Sequence, residues 1–160
     1  MALYRSVLYI PASRARALDK ARTLPCDAII FDLEDAVAPD EKVEARKTLA
    51  DALAENGYGA RRKLVRINGL ETVWGRDDIR SVAGMDCDGI VVPKVDTLGD
   101  VEAVTAEISD TPVWCMMETP RGVLNALAIA DAPQVAGVVL GTNDLAKEVG
   151  CDTGGDRSAM

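Results

Sequence analysis

Residues 137–149 read Gly137-Val138-Val139-Leu140-Gly141-Thr142-Asn143-Asp144-Leu145-Ala146-Lys147-Glu148-Val149. A short apolar run rich in β-branched residues stops at a glycine turn, and a helix opens directly behind it. The same order recurs upstream. Apolar runs stand at Val7-Leu8-Tyr9-Ile10, Ala28-Ile29-Ile30-Phe31, Leu64-Val65-Arg66-Ile67, Gly89-Ile90-Val91-Val92 and Val113-Trp114-Cys115-Met116-Met117. Runs that are continuous rather than alternating predict strands buried on both faces, as in a parallel sheet. The intervening stretches are amphipathic and carry start signals. Ser13 is placed to cap a helix burying Ala17, Leu18, Ala21 and Leu24, and Thr97 one burying Val101, Val104 and Ile108. Thr119-Pro120 sets a capping hydroxyl before a proline at the first helical position, with Val123, Leu124 and Leu127 following on one face.

The chain therefore reads βαβαβα, without an internal boundary or low-complexity linker. Two architectures fit: an open doubly wound sheet of six strands, or a (β/α)8 barrel, which takes about 250 residues. The chain has 160, and behind the last helical opening comes Asp152-Thr153-Gly154-Gly155-Asp156-Arg157-Ser158-Ala159-Met160, which closes nothing. The expectation is an α/β (β/α)8 TIM barrel, incomplete here with about six βα units, so that residues 1–160 form the N-terminal part of one barrel domain lacking its last two βα units.

Composition narrows the chemistry. Eighteen basic against 26 acidic side chains give a net charge of −8, which argues against nucleic acid or an anionic membrane surface as the partner. No apolar run approaches the roughly 20 residues of a membrane span, and the first residues lack a signal-peptide layout. The expected location is cytoplasmic. Cys26, Cys87, Cys115 and Cys151 are scattered singly, which suggests neither a disulfide framework nor a zinc site. There is no histidine, so Ser-His-Asp and Cys-His nucleophiles, imidazole bases and His-ligated metals are excluded for these residues.

In a parallel α/β protein the ligand site lies at the carboxyl ends of the strands. Those ends are polar here: Asp32-Leu33-Glu34-Asp35, Arg66-Ile67-Asn68, Pro93-Lys94, Glu118-Thr119-Pro120-Arg121 and Gly141-Thr142-Asn143-Asp144. Glu118 and Asp144 end consecutive runs that would lie about 4.8 Å apart as neighbouring strands, so both carboxylates can reach one hard cation such as Mg²⁺. Equally, Glu118 can cap the next helix and Asp144 can oppose its own helix dipole. Arg66 sits inside an apolar strand and needs an anionic partner, either Asp32 or Glu34 within the protein or a substrate carboxylate held in a bidentate contact. The turn Gly141–Asp144, including Asn143, offers helix N–H groups to an anion. Arg14, Arg16, Lys20 and Arg22 repeat along the first helix. They form a solvated face, or those nearest its start, Arg14 first, contact a phosphorylated substrate.

Taken in order, Arg5-Ser6-Val7-Leu8-Tyr9-Ile10-Pro11, Asp32-Leu33-Glu34-Asp35-Ala36-Val37 with Lys42 and Ala45-Arg46, Val65-Arg66-Ile67-Asn68, Val92-Pro93-Lys94, Met117-Glu118-Thr119-Pro120 and Gly141-Thr142-Asn143-Asp144-Leu145 resemble the citrate lyase beta subunit-like family, which includes malyl-CoA and citramalyl-CoA lyases. The resemblance implies a (β/α)8 barrel and an Mg²⁺-dependent acyl-CoA carbon–carbon lyase, cleaving a malyl-, citramalyl- or citryl-CoA type thioester to an acyl-CoA and a 2-oxo acid. By that resemblance Glu118 and Asp144 match the metal ligands, Arg66 the arginine that grips the 2-oxo-acid carboxylate, and Asp32 and Glu34 a supporting shell. Coenzyme A becomes the phosphorylated group for Arg14, an acyl-CoA or acyl-carrier thioester the partner, and a homo-oligomer, trimer or hexamer, the assembly. It also implies a C-terminal lid beyond these residues that carries the acid/base. Three rivals share the scaffold: an acyl-CoA thioesterase, a malate synthase-like condensing enzyme, and a non-catalytic CoA-binding barrel.

Overall fold

A computed structural model describes residues 4–108 and 110–152. It comprises two compact units, one through Val91 and one from Val92.

The first unit runs β1 (Val7–Pro11), α1 (Ala15–Ala21), β2 (Ala28–Asp32), α2 (Lys42–Ala54), β3 (Arg62–Arg66), α3 (Gly75–Val82) and β4, which begins at Gly89 and ends at Val92. Its strands pair in chain order, β1 with β2, β2 with β3 and β3 with β4, and every pairing is parallel. A doubly wound sheet reverses its strand order at a switch point between early strands. No reversal occurs here. The sequential parallel order, with a helix after each strand, is that of a (β/α)8 barrel, and the fold is α/β of that type.

Strand β2 is buried throughout, as its unbroken apolar run requires. Phe31 points to the helical side, where its ring meets Tyr58 edge-on at 5.1 Å and the Tyr58 hydroxyl donates to Leu18 O at 3.3 Å. Such an aromatic pair adds about 0.5–1.5 kcal/mol beyond the area it buries. With Leu18, Leu49 and Leu53 it forms the layer between α1, α2 and the strands. Successive strand residues alternate in direction, so Asp32, next to Phe31, faces the opposite side. In the parallel register Asp32 stands beside Arg66, which brings their side chains to one face.

The second unit runs α4 (Leu98–Thr105), β5 (Val113–Met117), α5 (Pro120–Leu124), α6 (Ala126–Ala130), β6 (Val135–Leu140) and α7 (Thr142–Val149). Strands β5 and β6 are parallel, with Met117 beside Leu140 and a register shift at Val113/Trp114. Gly137 lies at that irregular end; a Cβ there would stand 2.6 Å from the Trp114 ring.

Several local expectations are corrected. The N-cap of α1 is Arg14, and no side chain caps it, so Ser13 does not serve as the cap. The start signals at Thr97 and Thr119 hold. Asp100 accepts from the Thr97 N–H at 2.8 Å, and the Thr119 hydroxyl accepts from Gly122 N at 3.0 Å, with Pro120 in the first turn. The helix behind Thr119 breaks at Asn125, leaving Leu124 and Leu127 87% and 78% exposed while Ile129 is buried. Burial on both faces holds for β2, β4 and most of β5, but β1 and β6 alternate. β1 begins the row in the first unit and β6 ends it in the second, so each has one strand neighbour within its unit. Of the tail that closes nothing, residues 153–160 lie outside the described residues.

Candidate active site

In the first unit the ends of β2 and β3 build a buried ionic cluster. Arg66 Nε donates to Asp32 Oδ1 at 2.8 Å and Nη2 to Oδ2 at 2.5 Å, a fork-to-fork contact. Its Nη1 lies 2.9 Å from Glu34 Oε2, and the guanidinium sits 5.4 Å from the Tyr9 ring centre. Asp32 also accepts the Glu34 N–H at 2.8 Å and the Ala36 N–H at 3.2 Å, which folds the chain after β2 into a turn. Burial disfavours the charge on Arg66, yet its hydrogen bonds to Asp32 and the charges of Asp32 and Glu34 more than reverse this and raise its pKa. The guanidinium is therefore a fixed positive charge.

A second polar layer holds that turn from below. Lys42, at the start of α2, is 5% exposed and donates to Leu33 O at 2.9 Å and Glu34 O at 2.8 Å, with Trp74 packed at 5.1 Å. Burial lowers its pKa, against the raising effect of Asp78, Glu34, Asp32 and Asp35. Asn68 donates through Nδ2 to Leu33 O at 2.9 Å and to Asp78 Oδ2 at 2.6 Å. Asp78, wholly buried in α3, also accepts from Asn68 N and from Arg46 Nη1, each at 2.8 Å. Helix α3 can approach because Gly75 has no side chain: a Cβ there would strike the Gly69 carbonyl.

In the second unit Glu118 follows β5 and is 2% exposed. Glu118 does not cap the next helix, as one reading of the sequence expects, since Thr119 is the cap. Glu118 Oε1 instead accepts the Lys94 N–H at 2.8 Å, and Lys94 holds a left-handed backbone at φ 49°. Across the strand pair, Gly141 N donates to Met117 O at 3.0 Å, so Gly141 lies level with the root of Glu118. A Cβ on Gly141 would stand 2.6 Å from both Glu118 Cβ and Oε2. The glycine makes room for the carboxylate. Asp144 is half-buried in the first turn of α7, and Asn143 beside it is exposed.

The structure thus gathers Asp32, Glu34 and Arg66 into one cluster in the first unit and sets Glu118 and Asp144 behind the paired β5 and β6 in the second. Arg14 is exposed at the start of α1, and Asp35 is exposed beyond the turn. Cys115 is fully buried and its thiol is pushed up to about 11, which marks it as a core residue. Among the described residues no group of three or more His, Cys, Asp or Glu side chains forms a metal cage. Two carboxylates, one buried and pre-set by a backbone N–H, still suit a hard ion that keeps several waters or substrate oxygens.

The structure is similar to that of protein CitE from Mycobacterium tuberculosis in complex with magnesium, acetoacetate and coenzyme A, with a TM-score of 0.78 and 31% identity over 92% of this chain and 52% of that one. A (3S)-malyl-CoA thioesterase from Cereibacter sphaeroides is 55% identical over 98% of the chain and 55% of its own length. An L-malyl-CoA/beta-methylmalyl-CoA lyase from the same species is 35% identical over 94% of the chain and 52% of its own length. The chain spans about half the length of the curated relatives it matches. Thioesterases of this kind match at 54–55% identity, well above the lyase, and this overturns the expectation of a carbon–carbon lyase. The sequence pattern of HpcH/HpaI aldolase/citrate lyase matches residues 5–159, and the chain belongs to that family.

Proposed function

We propose that the protein hydrolyses the thioester of a malyl-CoA-type substrate with Mg²⁺ bound by Glu118 and Asp144. The observation that carries this reading is the buried Glu118 carboxylate, oriented by the Lys94 N–H and given space by Gly141, together with the 55% identity to a (3S)-malyl-CoA thioesterase. In this reading Mg²⁺ supplies Lewis-acid polarisation of the substrate oxygens it ligates. Arg66 meets the carboxylate of the 2-hydroxy acid and is held flat for it by Asp32. Because Arg66 Nη1 already faces Glu34, an arriving carboxylate competes with Glu34 for that edge. Asn143 lies in the first turn of α7, where helix N–H groups favour anionic substrate oxygens, and Arg14 contacts a coenzyme A phosphate.

The reaction balances as a hydrolysis. Water oxygen bonds to the thioester carbonyl carbon, the carbon–sulfur bond breaks, and a water proton ends on the thiol of coenzyme A. No carbon–carbon bond breaks. The test is to incubate the natural full-length protein with (3S)-malyl-CoA and Mg²⁺ and to resolve the products by chromatography. Malate and free coenzyme A in equal amounts are expected. Acetyl-CoA with an equal amount of glyoxylate overturns the reading.

A further inference from the structure

We propose that Asp96 is a positioning residue for Glu118: its carboxylate, gripping the Thr119 hydroxyl, locks the turn after β4 in the backbone conformation that presents the Lys94 N–H to Glu118. This rests on the reading of Glu118 as a metal ligand. A lysine with φ 49° is in the left-handed region that side-chain-bearing residues seldom adopt, and such a conformation persists only where its surroundings over-determine it.

The surroundings do so here. The Thr119 hydroxyl donates to Asp96 Oδ1 and accepts from Gly122 N at 3.0 Å, so one hydroxyl joins the β4 turn to the start of α5. From the same segment Asn125 Nδ2 donates to Asp96 O at 2.8 Å. On the other side, Asp96 N donates to Asp100 Oδ2 at 3.0 Å, which ties it to the first turn of α4. Gly122 lets the two segments touch, since a Cβ there would strike the Val95 carbonyl. Lys94 lies two residues before Asp96 and Glu118 one residue before Thr119. The clasp therefore closes directly beside the 2.8 Å bond from Lys94 N to Glu118 Oε1. Loosening it frees Lys94 to leave the left-handed region, and its N–H then no longer holds Glu118 Oε1 in place.

The experiment is titration calorimetry of the natural full-length protein with Mg²⁺, alongside metal-free thermal unfolding. Asp96→Ala is expected to weaken Mg²⁺ binding by about tenfold, the range seen when an outer partner of a metal ligand is removed. Asp96→Asn keeps an oxygen for Thr119 and is expected to stay within about threefold of the unsubstituted protein. Thr119→Val in the Asp96→Ala background should add little further loss, because both changes open the same contact. Equal losses in Asp96→Ala and Asp96→Asn would make charge the cause and overturn the proposal. So would unaltered affinity in a folded Asp96→Ala protein. If Asp96→Ala does not fold, Thr119→Ser and Thr119→Val take its place: affinity retained in the first and lost in the second supports the clasp, and equal affinity overturns it. Failure of the metal reading itself shows separately, as Mg²⁺ binding that is absent from the unsubstituted protein or unaffected by Glu118→Gln.

Discussion

The two polar centres of this chain are built on opposite plans. Around Arg66 the protein answers its own charges: Asp32 and Glu34 face the guanidinium, Lys42 and Asn68 hold the carbonyls of the turn, and Asp78 joins Asn68 to Arg46. At Glu118 the Lys94 N–H donates to the carboxylate and Gly141 packs against it, with a second carboxylate, Asp144, in the first turn of α7. The first arrangement is a closed ionic network, in which each member neutralises or hydrogen-bonds another. The second sets a buried carboxylate with a backbone N–H and with the room a glycine leaves. Buried charge that is internally matched makes a rigid platform, and under the proposed function the carboxylate set by backbone is the one that takes a cation.

The widest separation between the two plans should appear in stability. Asp78→Ala removes the acceptor for Arg46 and for both Asn68 donors in a fully buried place, and breaking such a network costs about 3–5 kcal/mol. Urea unfolding of the full-length variant should show a large fall in midpoint. A change under about 1 kcal/mol would mean that the first centre is no network at all. Glu118→Gln provides the contrast, since it is isosteric and keeps an acceptor for Lys94. Stability should move by less than about 1 kcal/mol, while Mg²⁺-dependent turnover falls by about a hundredfold or more, close to 2.7 kcal/mol in the barrier. Metal binding that survives this change would remove Glu118 from the site.

Gly141→Ala probes the space rather than the charge. Gly141 has φ −88°, which any residue adopts, so it is the approach of Glu118 that excludes a side chain. The added methyl should push the carboxylate off its position and weaken Mg²⁺ binding between ten- and a hundredfold, read by calorimetry, with the unfolding temperature little changed. Unaltered affinity would show that Glu118 has other rotamers equally able to bind.

The plan of the fold was legible because apolar period and strand ends both point to a sequential parallel α/β chain. Runs such as Ala28–Phe31 and Gly89–Val92 are buried on both faces, as continuous apolar character requires. The Asp32–Arg66 pair was also legible, since a guanidinium within an apolar strand has few partners to choose from. Other features leave no local trace. Asp78 sits between Asp77 and Arg80 in a stretch with three charged residues in four, and only tertiary approach to Asn68 and Arg46 buries it. Lys94 carries no signal for a left-handed backbone, because that conformation is imposed by Glu118 and the turn around Asp96. The exposed Leu124 and Leu127 mislead for a similar reason: Asn125, bonded to Asp96 O, stops the helix before a single apolar face can form.

The finest test falls on Arg66. Its fork on Asp32 is a stabilising contact, and under the proposed function its edge toward Glu34 takes the substrate carboxylate. Arg66→Lys keeps the charge but loses the planar fork, and a single ammonium cannot hold both Asp32 oxygens and Glu34 in the same geometry. A loss of about 1–2 kcal/mol in stability is expected from the weakened internal contact. If the residue also grips substrate, kcat/KM for a malyl-CoA-type thioester should fall by about tenfold, or 1.4 kcal/mol, in the fraction that remains folded. Measuring both on one preparation separates the contributions, because a scaffold acts on the unfolding curve alone. A destabilised variant with ordinary kinetics would leave Arg66 to the platform and move the search for the carboxylate-binding cation to the other basic residues.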